Sequence, residues 1–285
     1  VVAAVRDPNP RHHGKGLAAL CKRGIRADVG ACRDEASRLI EPFGKRIVTG
    51  YPFVTLKLAC SLDGRIADRR GKSRWISGPA ARRWVRGLRR RVDAVLVGAG
   101  TARADDPGLL AFDRGVPRNY RVLVSSDGNL PRSLRAISDR NAGHTIVAVS
   151  RDCQPHAARK LAAGGASVWS LPSTRSGRVS LRALMRRLAE SGFMHVLCEG
   201  GGELAAALVK AGLVDSYRFV LAGRLLGGRG TAAVGGEGWP LAAAPRLRVV
   251  SVERLGQDVL LTAVPARTGA RRGKGKEPSR TCSPG

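Results

Sequence analysis

Three segments rich in glycine and polar residues hold the side chains whose types and spacing could do chemistry. The first is HVLCEGGGELAAALVKAGLVD, residues 195–215. A buried strand ends at Glu199, three glycines follow, and a helix begins near Glu203. Such a turn brings backbone N–H groups and a helix N-terminus to a ligand phosphate. Glycines allow the close approach, although a plain strand–helix turn uses them equally. The spacing is not G-x-G-x-x-G, so a Rossmann assignment is unsupported. Glu199 sits at the carboxyl end of a strand, where open α/β sheets place ligands. The alternative for it is a solvated loop carboxylate.

The second segment is VLVGAGTARADDPGLL, residues 95–110. A strand meets Gly98 and Gly100, then Thr101 and the pair Asp105-Asp106. A hydroxyl and a carboxylate there could hold a ribose or an amide. A metal reading lacks further His or acidic ligands nearby, and neighbouring carboxylates point apart, against an acid/base dyad. Asp106-Pro107 also fits simple turn chemistry. The third segment is KLACSLDGRIADRRGKSRWISGP, residues 57–79. Lys57 lies on the polar side of a central-looking strand; if buried, it needs an anion or a shifted pKa. Otherwise it is a solvated lysine on an open sheet face. Ser73 could bind a phosphate and Trp75 could pack a flat ring, with core packing the alternative for the indole. Arg89, at the edge of a helix stripe, could reach a phosphate.

Other chemistries lack their residues. None of the histidines 12, 13, 144, 156 and 195 stands in H-x-E or H-E-x-x-H. The six cysteines form no C-x-x-C pair, so neither a zinc site nor a disulfide framework is indicated, and no metal is expected. No G-x-S-x-G elbow or Walker A motif occurs.

The elements that must position these residues alternate strand with helix, which predicts an α/β domain. PFVTLKLA alternates, with Val54, Leu56 and Leu58 on one side and Thr55 and Lys57 on the other. Ser77-Gly78-Pro79 starts a helix whose stripe is Ala81, Val85, Leu88 and Val92. Ser180 caps another, with Leu181, Leu184, Met185 and Leu188 at core spacing and Gly192 at its end. Three closing strands, with little helix between them, predict an antiparallel edge on a mixed sheet. Residues 1–50 read as strand, helix, strand and helix (DEASRLIEPF), too short for an independent core and docked on the remainder of the chain. Residues 267–285, rich in Gly, Pro, Ser and basic residues, read as a disordered basic tail.

The 285 residues carry 50 Lys+Arg against 22 Asp+Glu, a formal charge of +28. The basic residues are 41 Arg and 9 Lys, dispersed along the chain, and aromatics are only 4%. No stacking platform or nucleic-acid-binding signature accompanies them, so nucleic acid is not the expected partner. A basic pocket for a phosphorylated small molecule fits better. No apolar run is long enough for a membrane span, no signal-peptide pattern opens the chain, and the cysteine usage suggests a reducing, cytoplasmic setting.

Taken together, PFVTLKLACSLDGRIA, SRWISGPAARRWVRGLR, DAVLVGAGTARADDPGL and EGGGELAAALVKAGLVD resemble, in the same order, the reductase domain of the bifunctional riboflavin-biosynthesis deaminase/reductases. Residues 1–50, with DPNP, GKGLAAL and EPFGKRIVTG, are similar to the end of that family's deaminase domain, without its H-x-E and P-C-x-x-C zinc signature. The resemblance implies a deaminase remnant over 1–50 (a partial cytidine-deaminase-like segment), a reductase domain over 51–266, and no deaminase activity. It also implies a dihydrofolate-reductase-like fold, with a mixed, mostly parallel sheet flanked by helices, and NADPH as cofactor. The implied reaction reduces 5-amino-6-(5-phosphoribosylamino)uracil to its ribitylamino counterpart, in a homodimer or larger assembly.

By the same resemblance, Ala59, Trp75, Thr101, Asp105 and Ser126 match cofactor contacts. Gly201, Gly202, Glu203, Leu204, Ala205, Ala206 and Ala207 match the pyrophosphate cradle. Ser73, Arg89, Leu109 and Glu199 match substrate contacts, and Lys57 lies beside the reacting ribose. Either Lys57 or Glu199 could polarise or protonate the substrate. Where relatives carry a phosphate-binding arginine this chain has Phe112, with Arg114 two positions later as the substitute. The competing readings are another reductase of the same fold acting on a pterin-like heterocycle, an inactive product of a split gene, and a non-catalytic basic protein that binds nucleic acid.

Overall fold

The computed structural model describes residues 1–266; the expected basic tail lies outside the described residues. Nine strands form one sheet. They are β1 (Phe53–Ser61), β2 (Ala94–Gly98), β3 (Tyr120–Val124), β4 (Thr145–Ser150), β5 (Ser167–Leu171), β6 (His195–Cys198), β7 (Ser216–Ala222), β8 (Leu247–Leu255) and β9 (Asp258–Pro265). Their order is β5-β4-β3-β2-β6-β1-β7-β9-β8. From β5 to β7 every neighbouring pair is parallel. The three closing strands form the expected antiparallel edge, with β9 running against both β7 and β8. The sheet is mixed and mostly parallel, as expected.

The helices are α1 (Lys15–Cys21), α2 (Arg33–Thr49), α3 (Pro79–Arg89), α4 (Ala99–Asp105), α5 (Arg135–Ser138), α6 (Pro155–Ala162), α7 (Leu181–Glu190) and α8 (Gly202–Lys210). Ser180 caps α7 by accepting from the Ala183 N–H at 3.3 Å, and Gly192 turns the chain beyond it at φ +96°. Val54, Leu56 and Leu58 of β1 pack with Leu184 and Leu188 of α7 and Leu204 and Leu208 of α8. On the second core, Val95, Leu123, Val147 and Leu197 pack with Leu109, Ile137 and Leu161. Both faces of the central strands are therefore covered, and the polar side of β1 is not an open face. Thr55 is 2% exposed, and its hydroxyl pairs with Nε2 of His195 at 2.9 Å.

Residues 1–50 pair Val2–Ala3 in parallel with Asp28–Val29 and add α1 and α2, the latter running on to Thr49. Only Ala27 is buried among them, so this segment has no core of its own. It docks through α2. Lys45 Nζ meets both carboxylate oxygens of Asp215 at 2.6 and 2.5 Å, and Arg46 Nε donates to the Ala189 carbonyl at 2.9 Å. Burial pushes the Asp215 carboxyl up, and Lys45 opposes that shift. Asp215 also accepts the Val54 N–H of β1 at 2.8 Å.

Candidate active site

The chain runs outward from β1 through β2, β3, β4 and β5, then returns to insert β6 between β2 and β1. The strand order thus reverses beside β6, and a crevice at the carboxyl ends of such strands is where open α/β sheets bind ligands. Cys198 ends β6 in register with Leu56, so Glu199 comes level with Lys57 on β1. Glu199 is held from the other side by α3: Arg89 donates from Nε to Oε1 at 2.5 Å and from Nη2 to Oε2 at 2.8 Å. The Glu199 side chain is 6% exposed. Burial works against the Arg89 charge, and the hydrogen bond and charge of Glu199 outweigh it, leaving the Arg89 pKa raised. Lys57 is half-buried and has no hydrogen-bond partner among the described residues. Burial lowers its pKa below the ordinary lysine value; the Glu199 carboxylate partly restores it and Arg89 lowers it further. An ammonium held this way is an acid closer to neutrality than a free lysine.

The glycine turn lies next to this pair. Gly200 and Gly201 adopt φ +135° and +90°, and α8 begins at Gly202. A Cβ on Gly200 would meet nothing within 4 Å, whereas one on Gly201 would stand 3.2 Å from Oγ1 of Thr101. Thr101, in the first turn of α4, is therefore beside the cradle. The N–H of Ala205 already bonds the Gly201 carbonyl. The N–H groups free to face an anion are those that begin the helix, at Gly202, Glu203 and Leu204. Ala205 is fully buried, Leu204 packs into the core, and Ala206 and Ala207 lie inside the helix. Glu203 turns away too: its Oε1 accepts the Gly236 N–H at 2.9 Å.

The other expected residues divide. Ser73 donates to Asp105 Oδ1 at 2.5 Å, and Arg74 bonds the Asp105 carbonyl, so the 73–75 loop is tied to the end of α4. Asp106 instead takes Arg135, and the two carboxylates separate as expected. Trp75 is 62% exposed, with the Arg82 guanidinium 4.6 Å from its ring centre; it is not a core residue. Ser126 follows β3 and accepts the Val179 N–H at 3.0 Å. Ala59 packs against Ala81 and Val220 beneath α3. Leu109 is 2% exposed, at φ +57°, so its side chain belongs to the core and only its backbone can face a ligand. Arg114, at φ +48°, turns the small hairpin of Phe112–Asp113 and Val116–Pro117, and no contact joins it to the other site residues among those described.

With this geometry in place, comparison with known proteins is decisive. The model of the RibD C-terminal domain family matches residues 52–261. The chain belongs to the RibD C-terminal domain family. The riboflavin biosynthesis protein RibD of Bacillus amyloliquefaciens is 34% identical over 268 residues, covering 93% of this chain and 71% of that protein. The RibD of Escherichia coli K12 is also 34% identical, over 93% of this chain and 74% of its own length. Among solved structures, Acinetobacter baumannii RibD (form 1) superposes with a TM-score of 0.81 at 32% identity, over 94% of this chain and 73% of that one.

Sequence reasoning missed the cover of the RibD-type cradle. Arg65–Ala67 pairs antiparallel with Thr231–Ala232, and a Cβ on Gly202 would collide with the Ala232 carbonyl oxygen. The glycines of GRGTAAVGGEG were the available signal: close backbone approach needs them, and the segment holds too many for a regular element.

Proposed function

We propose that the crevice at the carboxyl ends of β1, β2, β3 and β6 holds NADPH against 5-amino-6-(5-phosphoribosylamino)uracil. The chain is an oxidoreductase of riboflavin biosynthesis that reduces this pyrimidine to 5-amino-6-(5-phosphoribitylamino)uracil, a role supported by its family and its RibD relatives. The residues present fit a nicotinamide dinucleotide: a positive-φ glycine turn, the N–H groups that open α8, and the Thr101 hydroxyl lie together. When bound, the cofactor supplies hydride to C1 of the ring-opened ribosyl group.

The chain's own residues then orient and protonate. Gly201, Gly202 and the first α8 N–H groups bind the pyrophosphate, with Thr101 beside them. Ser126 and the Ser73–Asp105 pair are positioned for the polar groups of the two ligands. Lys57 carries a proton on an ammonium that no described residue hydrogen-bonds, and delivers it to the ring oxygen or nitrogen as the ribosyl group opens. Glu199, fixed by Arg89, offsets part of the lowering that burial imposes on the Lys57 pKa and accepts from a substrate hydroxyl. The single observation that carries this reading is the unpartnered Lys57 ammonium level with the Arg89–Glu199 pair, next to the glycine cradle.

Residues 1–50 are read as the closing part of a deaminase domain and 51–266 as the reductase. The free buried thiols of Cys60 and Cys198 support a reducing, cytoplasmic setting. The test is NADPH oxidation, followed by its absorbance, with the phosphoribosylamino and the non-deaminated pyrimidine as separate substrates. Consumption with the former alone is expected. No consumption with either would overturn the reductase reading.

A further inference from the structure

The turn after β1 places an arginine on the cover of the glycine cradle and leaves it without an acceptor. Asp63 is the carboxylate nearest to Arg65 in sequence, and it is fully engaged. It accepts from Ser61 Oγ at 2.6 Å and from the N–H groups of Leu226 and Gly227 at 3.0 and 2.7 Å. These bonds, the serine's first, hold its pKa down to about 2. Ser61 Oγ in turn accepts the Arg65 N–H at 2.9 Å, which fixes the backbone from which the side chain departs. A Cβ on Gly230 would lie 3.0 and 3.1 Å from Cγ and Cβ of Arg65, so glycine at 230 makes room for the arginine stem. The stem runs along a ribbon whose Ala232 carbonyl rests on Gly202. Nε of Arg65 is buried with no hydrogen-bond partner among the described residues. Buried polar groups are almost always paired, and a guanidinium forks onto two oxygens of a phosphate.

We infer that Arg65 is a phosphate-binding arm, which closes over the cradle side of the crevice and completes its hydrogen bonds on a phosphate oxygen of a bound ligand. This rests on the reductase reading, which supplies two phosphorylated ligands: NADPH, with its pyrophosphate and 2′-phosphate, and the substrate, with its 5-phosphate. The ribbon's seat on Gly202 puts Arg65 beside the residues assigned to the first. Arg65 acts in binding and takes no part in proton transfer.

The test measures direct binding by the full chain, without turnover. Dissociation constants for NADPH, by its fluorescence, and for ribose 5-phosphate, by calorimetry, are compared among wild type, Arg65→Met and Arg65→Lys. Met keeps the apolar stem and removes the N–H groups; Lys keeps the charge and removes the fork. A tenfold or greater weakening of NADPH in Arg65→Met, with partial recovery in Arg65→Lys and ribose 5-phosphate unchanged, assigns the arm to a phosphate of NADPH. The same pattern with the ligands exchanged assigns it to the substrate phosphate. Wild-type binding retained undiminished for both ligands in both variants overturns the inference and leaves the reductase reading intact. A wild-type chain that binds neither ligand overturns both. Should Arg65→Met fail to fold, Arg65→Lys decides alone, with threefold or greater weakening expected and unchanged affinity overturning the inference.

Discussion

Arg89 on α3 and Glu199 at the end of β6 form a two-point ion pair, Nε to Oε1 at 2.5 Å and Nη2 to Oε2 at 2.8 Å. The pair joins a helix to a strand across 110 residues of chain, and it aims a fixed negative charge at the crevice beside Lys57. Replacing Glu199 with Gln keeps one acceptor and removes the charge. Two effects are expected: a fall in kcat/KM of about 10²-fold, in the range of a lost acid–base partner, and about 1–3 kcal/mol of lost stability as the guanidinium loses its counter-ion. The Glu199 charge raises the Lys57 pKa. Its removal therefore moves the alkaline limb of the pH–rate profile to lower pH. A profile that keeps its alkaline limb in place would remove Lys57 from the titrating step.

His195 lies on β6, beside Asp93 and behind Thr55. Burial brings its pKa from 6.5 down to about 4, against the opposing charge of Asp93. The folded chain keeps the ring neutral while the unfolded chain takes up a proton below about 6.5. Stability contributed by this site is thus full above about pH 6.5 and lost as pH falls from there toward about 4, about 3 kcal/mol in all. Urea unfolding at about pH 7 and about pH 4.5 measures this. His195→Gln should flatten the difference between the two pH values; an equally steep acid loss in the variant would place the titration elsewhere.

Gly202 and Gly200 offer a matched pair of substitutions in one turn. Ala at 202 would drive its methyl into the Ala232 carbonyl, while Ala at 200 meets open space and is opposed only by its positive φ. Gly202→Ala should cost about 1–3 kcal/mol by overpacking and weaken NADPH binding more than tenfold as the cover lifts. Gly200→Ala should cost about 1 kcal/mol and keep the cover in place. Equal effects on NADPH affinity would mean that the Thr231–Ala232 ribbon does not shape the cradle.

The homodimer expected from the family has a specific candidate edge. β8 exposes Leu247, Val249, Val250 and Val252 and has no neighbour on its outer side among the described residues. Exposed, unblocked edges of this kind invite another strand. Its register against β9 slips between Val249 and Ser251. The slip puts Arg248 and Glu253 on one face and Val249 and Val252 on the other. Antiparallel pairing of β8 with a second copy of itself then sets Arg248 against the partner's Glu253 and valine against valine. Val252→Arg should convert the assembly to monomer in sedimentation at micromolar concentration. A variant that sediments as the wild type does would rule out this edge.

The regular parts of this fold are readable in the sequence where local chemistry dictates them. Ser180 and Gly192 bracket α7 because a hydroxyl cap and a left-handed exit are local requirements. Glu199 and the glycine turn were readable for the same reason: a strand, glycines and a helix start in immediate succession. What depends on distant partners was not. The alternation in β1 gave Thr55 and Lys57 a polar side, but only the sheet order makes that side an interior one. The burial of Leu109 follows from its packing with β2, β3 and β4, and its polar surroundings in the sequence hide this. The significance of Arg65 depends on a ribbon partner, Ala232, far along the chain.

Asp215 gathers three elements at one carboxylate: Lys45 from α2, the Val54 N–H from β1, and its own chain leading into β7. An ion pair and a hydrogen bond from α2 cross the line between residues 50 and 51. Excising 1–50 would strip a half-buried acid, bonded to the strand that carries Lys57, of its counter-ion. Through α2, residues 1–50 brace the joint at which β1 and β7 meet.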